Sequence, residues 1–247
     1  MEGTAVPRRL TWEVATVSAA MPETPSVRTI GLDVPSWPGH RAGQHLDVRL
    51  TAEDGYSAER SYSIAAAADD PVAITVERLD DGEVSSYLTE DLRIGDQLEI
   101  RGPVGGYFVW ETTDGGPLLL IGGGSGIVPL RAILRQREHS GSHVPVRLLY
   151  SARALSELIY RDELDGYRDG VEIIYTLTRE QPAGWTGYAR RVDRALLAET
   201  AWPAEKNPLA FVCGPTDFVE TVAGELVALG YEPGRVKTER FGGTGGR

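Results

Sequence analysis

The chain has 247 residues, 41% of them hydrophobic and 25% charged, a composition typical of a folded chain with room for one large domain or two ordinary ones. A formal net charge of −11 excludes the basic footprint of a nucleic-acid binder, and a single cysteine, Cys213, excludes an internal disulfide or an iron–sulfur cluster ligated by this chain alone and points to a reducing, cytoplasmic setting. No stretch is long and apolar enough to span a membrane, and Arg8-Arg9 leads into an alternating segment rather than the apolar run of an export signal.

The first half reads as short strands over residues 10–17, 27–32, 44–50, 61–66, 72–77 and 97–101, each bounded by Gly, Pro, Asp or Ser. His45-Leu46-Asp47-Val48-Arg49-Leu50 alternates polar and apolar, as a half-buried strand does. Strands at this spacing make a barrel or sandwich. One helix is predicted among them, over 85–92, with Ser85 or Ser86 as its cap and Gly95 beyond its end. Residues 111–117 read as a linker.

The second half alternates. Strands are predicted over 118–121, 144–150, 171–177, 209–213 and 236–239, with helices over 127–138, 157–164, 192–199 and 217–229. Strand–helix alternation implies a parallel sheet covered by helices. The reading is therefore two domains, 1–112 and 113–247.

The apolar run Leu118–Ile121 feeds Gly122-Gly123-Gly124-Ser125-Gly126-Ile127-Val128-Pro129. A buried strand, a glycine turn and a helix start make a dinucleotide diphosphate site, because glycine admits the backbone to the phosphates and free N–H groups face the anion. Pro129 fits the first helical turn. The strict G-x-G-x-x-G spacing is missing, and no Gly-Lys-Ser/Thr follows, which argues against a P-loop nucleotidase.

Four more motifs share the chain with this turn: Arg60-Ser61-Tyr62-Ser63, Gly82-Glu83-Val84-Ser85-Ser86, Gly102-Pro103-Val104-Gly105-Gly106-Tyr107-Phe108 and Cys213-Gly214-Pro215. In this order the set resembles the ferredoxin–NADP⁺ reductase superfamily over nearly the whole chain. The resemblance implies a six-stranded antiparallel β-barrel with one helix that binds FAD (FMN less well matched), then a five-stranded parallel sheet that binds NAD(P). It implies an NAD(P)H-dependent flavoprotein reductase of bacterial type, monomeric, with no fused ferredoxin domain. Electrons would go to an external acceptor such as a ferredoxin, a flavodoxin or an oxygenase component. A flavin or quinone reductase, and an electron-transfer subunit of a larger redox complex, are the alternatives.

By resemblance, Arg60 pairs with the flavin diphosphate, for which a guanidinium is suited. An ion pair with Glu59 or Glu77 is its structural alternative. Ser61 belongs to the same stretch, Tyr62 would pack on the isoalloxazine, and Ser63 would stand near flavin N5. Val84, Ser85 and Ser86 match the helix start that donates N–H groups to flavin phosphate. Gly123, Gly124, Ser125 and Gly126 would hold the nicotinamide dinucleotide. Cys213, with Gly214 and Pro215, matches the cysteine near nicotinamide C4, in a positioning role.

Ser151 and Arg153, with no acidic neighbour, favour NADPH over NADH, whose free ribose hydroxyl selects an acidic residue. Arg161 is either an auxiliary to them or a partner of Asp162 or Glu163. Phe241 would lie near the flavin. Glu239 would relay a proton or else pair with Lys237 or Arg240. Thr178-Arg179 and Gly184-Trp185 resemble the loop beside the adenosine half. Val128 stands where many relatives have Thr, and residues 242–247 continue past Phe241, unlike the plastid-type enzymes.

Overall fold

A computed structural model describes residues 10–52 and 54–241. The expectations placed on Arg8-Arg9 and on the tail 242–247 lie outside the described residues.

Six strands, β1 (Glu13–Thr24), β2 (Val27–Asp33), β3 (His45–Thr51), β4 (Ser57–Ser63), β5 (Ala73–Glu77) and β6 (Gln97–Val104), form one antiparallel sheet in the order β4-β3-β6-β1-β2-β5. The sheet curls back on itself. Ile64, just past β4, bridges Ile74 of β5, and Ala65 N–H donates to the Ala73 carbonyl at 2.8 Å. This is the expected barrel, closed where β4 runs out. The alternation read in β3 holds, with Leu46 and Val48 fully buried beside Ile30, Ile64, Ile74 and Ile100. The barrel's helix is a short α-turn, α1 (Glu83–Ser86), which widens into a π-turn at Tyr87–Asp91.

The second sheet is parallel, in the order β11-β10-β7-β8-β9. Its strands are β7 (Leu118–Gly123), β8 (Val146–Ala152), β9 (Val171–Leu177), β10 (Leu209–Pro215) and β11 (Val236–Phe241). The helices are α2 (Ile127–His139), α3 (Arg161–Gly166), α4 (Arg194–Thr200) and α5 (Thr216–Ala228). β7 is buried on both faces, as a central parallel strand must be. Leu118 and Leu120 join the core that includes α2, while Leu119 and Ile121 join the core that includes α4 and α5. Among the described residues, no helix is long and apolar enough to cross a membrane.

The two sheets share apolar packing. Val27, Ala42, Ala65, Phe108 and Trp110 from the barrel side lie in one cluster with β7, α2 and β10. Phe108 meets Phe211 edge-on at 5.1 Å between ring centroids, a favoured aromatic geometry.

Two local expectations are corrected. Neither Ser85 nor Ser86 caps α1. Gly82 occupies the cap position, and Ser85 Oγ turns back to donate to the Gly82 carbonyl and accept from Leu79 N–H, both at 3.1 Å. The helix predicted over 157–164 breaks at Tyr160, which takes a left-handed conformation (φ 59°) while its hydroxyl donates to Thr75 on the barrel. A tertiary contact overrides helix propensity there. Residues 111–117, between β6 and β7, carry a 3₁₀ turn at Thr112–Asp114 with a reciprocal Glu111–Asp114 capping box.

Candidate active site between the two sheets

Parallel register gathers the predicted residues at one edge. Gly123 lies level with Ser151 on β8, Gly122 with Cys213 on β10, and Cys213 with Glu239 on β11. Pro215 and Phe241 are likewise level. These are the carboxyl ends of the strands, where open α/β sheets bind ligands.

The turn Gly124–Gly126 links β7 to α2. Gly124 sits at φ 56°, which glycine adopts without strain. Gly126 is needed for a different reason: a Cβ there would stand 2.1 Å from the Cys213 carbonyl oxygen and 2.8 Å from Gly214 N. Part of the glycine signature thus serves contact with β10. Gly123 serves a second packing contact, since a Cβ there would stand 3.1 Å from the Phe218 ring.

β4 brings the barrel's residues to the same cleft. Ser63 Oγ donates to Glu239 Oε1 at 3.4 Å, across the two sheets. Burial pushes the Glu239 carboxyl up to about 7, only partly offset by that hydrogen bond. Its other oxygen, Oε2, is buried with no hydrogen-bond partner in the protein. Neither foreseen ion pair forms. Lys237 Nζ donates to the Val109 carbonyl at 2.9 Å, and Arg240 pairs with Glu220 at 2.6 Å. The Cys213 thiol is also held well above its ordinary range, first by burial and then by the neighbouring Glu239. It is a neutral thiol, suited to packing rather than to nucleophilic attack.

Tyr62 is half-buried against the barrel core, and burial pushes its phenol up to about 12. Arg60 is exposed, and its Nη1 donates to the Glu59 carbonyl at 2.7 Å. Among the described residues it pairs with neither the Glu59 nor the Glu77 carboxylate. Ser61 is engaged elsewhere, donating to Asp47 Oδ1 at 2.6 Å, where Arg101 also binds. At α1, the first helical hydrogen bond runs from Ser86 N–H to the Gly82 carbonyl. The N–H groups of Glu83, Val84 and Ser85 therefore have no acceptor within the helix.

At the far end of the nucleotide sheet, Ser151 is half-buried and Arg153 exposed. The Arg153 carbonyl accepts from the N–H groups of Arg179 and Glu180 at 2.9 and 3.0 Å. The two loops are therefore tied, and Arg179 stands next to Arg153. The sequence treats Arg179 only as support; its position directly after the strand ending at Leu177 was the available signal. Arg161 pairs with Asp165 at 3.5 Å rather than with Asp162 or Glu163.

The donor set fits two diphosphate-bearing groups, one at the α1 amides with Arg60 and one at the glycine turn. The orphaned Glu239 oxygen, on a carboxylate that meets Ser63 and lies level with Cys213, fits a polar ring edge.

Comparison with known proteins agrees. Residues 15–109 match the oxidoreductase FAD-binding domain family, and residues 120–224 match the oxidoreductase NAD-binding domain family. The chain is 32% identical over 240 residues to the ferredoxin reductase component of 3-ketosteroid-9-alpha-monooxygenase from Rhodococcus rhodochrous, covering 94% of this chain and 66% of that protein. It is 30% identical over 211 residues to the glycine betaine monooxygenase reductase subunit of Chromohalobacter salexigens, covering 83% of this chain and 56% of that protein. It thus spans about three-fifths of the length of these relatives. The flavohem-like FAD/NAD binding domain of nitric oxide dioxygenase from Vibrio cholerae superposes with a TM-score of 0.83 at 26% identity, covering 94% of this chain and 99% of that one. The chain belongs to the FAD- and NAD-binding oxidoreductases of the ferredoxin–NADP⁺ reductase superfamily, a flavoprotein family that works with FAD and a nicotinamide nucleotide.

Proposed function

We propose that this chain is an NADPH-dependent FAD reductase serving an external redox protein, with its flavin half over 1–112 and its nucleotide half over 113–247. The observation that carries the reading is the Ser63–Glu239 contact across the two sheets, with a buried, unpartnered carboxylate oxygen beside Cys213. When bound, FAD supplies the conversion between the two electrons of a nicotinamide nucleotide and the single electrons that a redox protein accepts.

The chain's own residues do the rest. Arg60 and the free amides opening α1, at Val84 and Ser85, would hold the flavin diphosphate, with Ser86 offering its side chain because its N–H is taken by the Gly82 carbonyl. Ser61 stiffens that strand through Asp47. Tyr62, from the barrel, and Phe241, at the end of β11, would lie against the flavin ring. Ser63 and Glu239 would face the reacting edge, where burial raises the Glu239 carboxyl above its ordinary range and lets it hold a proton. Gly123, Gly124, Ser125 and Gly126 seat the dinucleotide diphosphate. Cys213, Gly214 and Pro215 bound the nicotinamide pocket and exclude water from it. Ser151 and Arg153, with Arg179 beside them, take the 2′-phosphate.

The oxygenase reductase names of the relatives favour an oxygenase component or its ferredoxin as the acceptor.

The FAD-reconstituted chain should reduce ferricyanide with a kcat/KM for NADPH at least roughly tenfold above that for NADH, the discrimination expected of one charge-assisted phosphate contact. Equal use of both would remove the 2′-phosphate assignment, and no turnover with either would overturn the function. Arg60→Ala should weaken FAD binding by roughly ten- to a hundredfold, the worth of a bidentate charged hydrogen bond. Flavin titration measures it, and unaltered affinity would take Arg60 out of the site.

A further inference from the structure

One barrel side chain reaches the glycine turn and has no part in the reading above. β5 ends on Glu77, held by its pairing with Val27 of β2. Its carboxylate lies beside the turn: a methyl group placed on Gly124 would stand 4.0 Å from Glu77 Oε2. A second bearing gives the same position. The buried Tyr150 hydroxyl, on the strand next to Gly122, is pushed up first by burial and further by the charge of Glu77. Glu77 is half-buried, and among the described residues no side chain neutralises it. Arg60 turns to the Glu59 carbonyl, and Arg78 pairs with Glu90.

A carboxylate is a poor neighbour for a diphosphate. The turn offers amide dipoles and a helix start to the anion, while Glu77 sets a like charge against it from the opposite domain. Like charges a few ångströms apart at a half-exposed site weaken binding by roughly five- to tenfold per unit charge.

We propose that Glu77 is a specificity residue that faces the diphosphate seat of the nicotinamide nucleotide and weakens its grip, so that the oxidised nucleotide leaves readily. The inference rests on the nucleotide reading of the Gly124–Gly126 turn. The effect is confined to ligands that carry the diphosphate. It acts on affinity, because the charge opposes bound nucleotide in either redox state.

The test uses the full chain reconstituted with FAD, with Glu77→Gln and Glu77→Lys compared with the parent at equal flavin content. Calorimetric titration gives Kd for NADP⁺, for NAD⁺ and for adenosine 2′-phosphate, which has no diphosphate. Glu77→Gln should bind both dinucleotides roughly five- to tenfold more tightly and Glu77→Lys more tightly still. The gain should shrink as salt is raised, and adenosine 2′-phosphate should be unmoved. Unchanged or weaker dinucleotide binding in Glu77→Gln overturns the proposal, weaker binding making Glu77 an acceptor for a ribose hydroxyl instead. An equal gain for adenosine 2′-phosphate also overturns it, as a general change in the sheet. A parent that binds adenosine 2′-phosphate but neither dinucleotide overturns the nucleotide reading of the turn itself, a result distinct from a parent that binds and variants that do not differ.

Discussion

Replacing Glu239 by Gln should stabilise the flavin-free chain by about 3 kcal/mol at pH 8 and leave it unchanged near pH 4. The carboxyl rises from an ordinary 4.5 to about 7 because folding buries it. A raised carboxyl binds its proton more tightly folded than unfolded. Its favourable contribution is complete below the unfolded value, declines as pH climbs from about 4.5 to about 7, and is gone above that. Past pH 7 the folded chain carries a buried charge whose second oxygen has no partner. Gln keeps the shape and a donor–acceptor pair without the charge. Urea unfolding at several pH values measures this, and a variant with the parent's pH dependence would remove Glu239 as the titrating group. In the reconstituted enzyme the same group predicts kcat/KM falling above about pH 7. Glu239→Gln should flatten that limb and slow turnover by roughly a hundredfold, the scale of a lost general acid.

Glu163→Ala should cost about 3 kcal/mol at pH 7 and progressively less in acid. Glu163 on α3 accepts from Arg131 at 2.6 Å and from Arg135 at 2.8 Å. Arg131 is the critical partner. Its side chain is only 11% exposed, its Nη1 donates to the Ala65 carbonyl of the barrel at 2.6 Å, and its plane lies 4.4 Å over the Tyr160 ring. Arg135 continues the chain to Asp70 of the barrel at 3.2 Å. Removing the carboxylate strands a buried guanidinium, which costs more than the intact pair contributes. Glu163 is itself 27% exposed, which keeps the figure at the lower end. Burial alone would raise the Glu163 carboxyl, but hydrogen bonds and charge from Arg131 and Arg135 outweigh it and hold it below the usual range. The pair therefore stabilises above the unfolded carboxylate value, and the contribution is lost as pH falls through the folded one. Urea midpoints of parent and variant at pH 7 and pH 3 check both size and direction. Adding Arg131→Met should recover part of the loss, since it withdraws the stranded charge.

Much of this architecture was legible because its signals are local. The period-two pattern of Leu46 and Val48, the unbroken apolar run of β7 and the glycines after it each follow from residues adjacent in sequence. Resemblance to a known family then pointed to these residues, and the parallel register sets Gly123 level with Ser151 and Cys213 level with Glu239. The misses have two physical origins, nearby partners that compete with the expected ones and contacts between distant segments. Ser85 gave up a capping role for hydrogen bonds that shape the preceding loop. Tyr160 left the helical region because its hydroxyl reaches a residue 85 positions earlier. The ion pairs foreseen for Arg60 and Arg161 gave way to other nearby partners, the Glu59 carbonyl and Asp165, and Glu239 pairs with neither Lys237 nor Arg240. Arg131, which spans 66 positions to reach Ala65, has no local signature.

The shared apolar packing of Phe108 and Trp110 with the parallel sheet bears on how the chain comes apart. These residues follow the last barrel strand in sequence, yet their side chains belong to the nucleotide half's core. Topology divides the molecule in two, but its cohesion does not follow that division. Loosening either sheet exposes surface that the other requires covered, so both should melt in one transition. Part of the barrel's rigidity is then drawn from the strands of the other sheet, and a destabilised nucleotide half should register as weakened flavin retention.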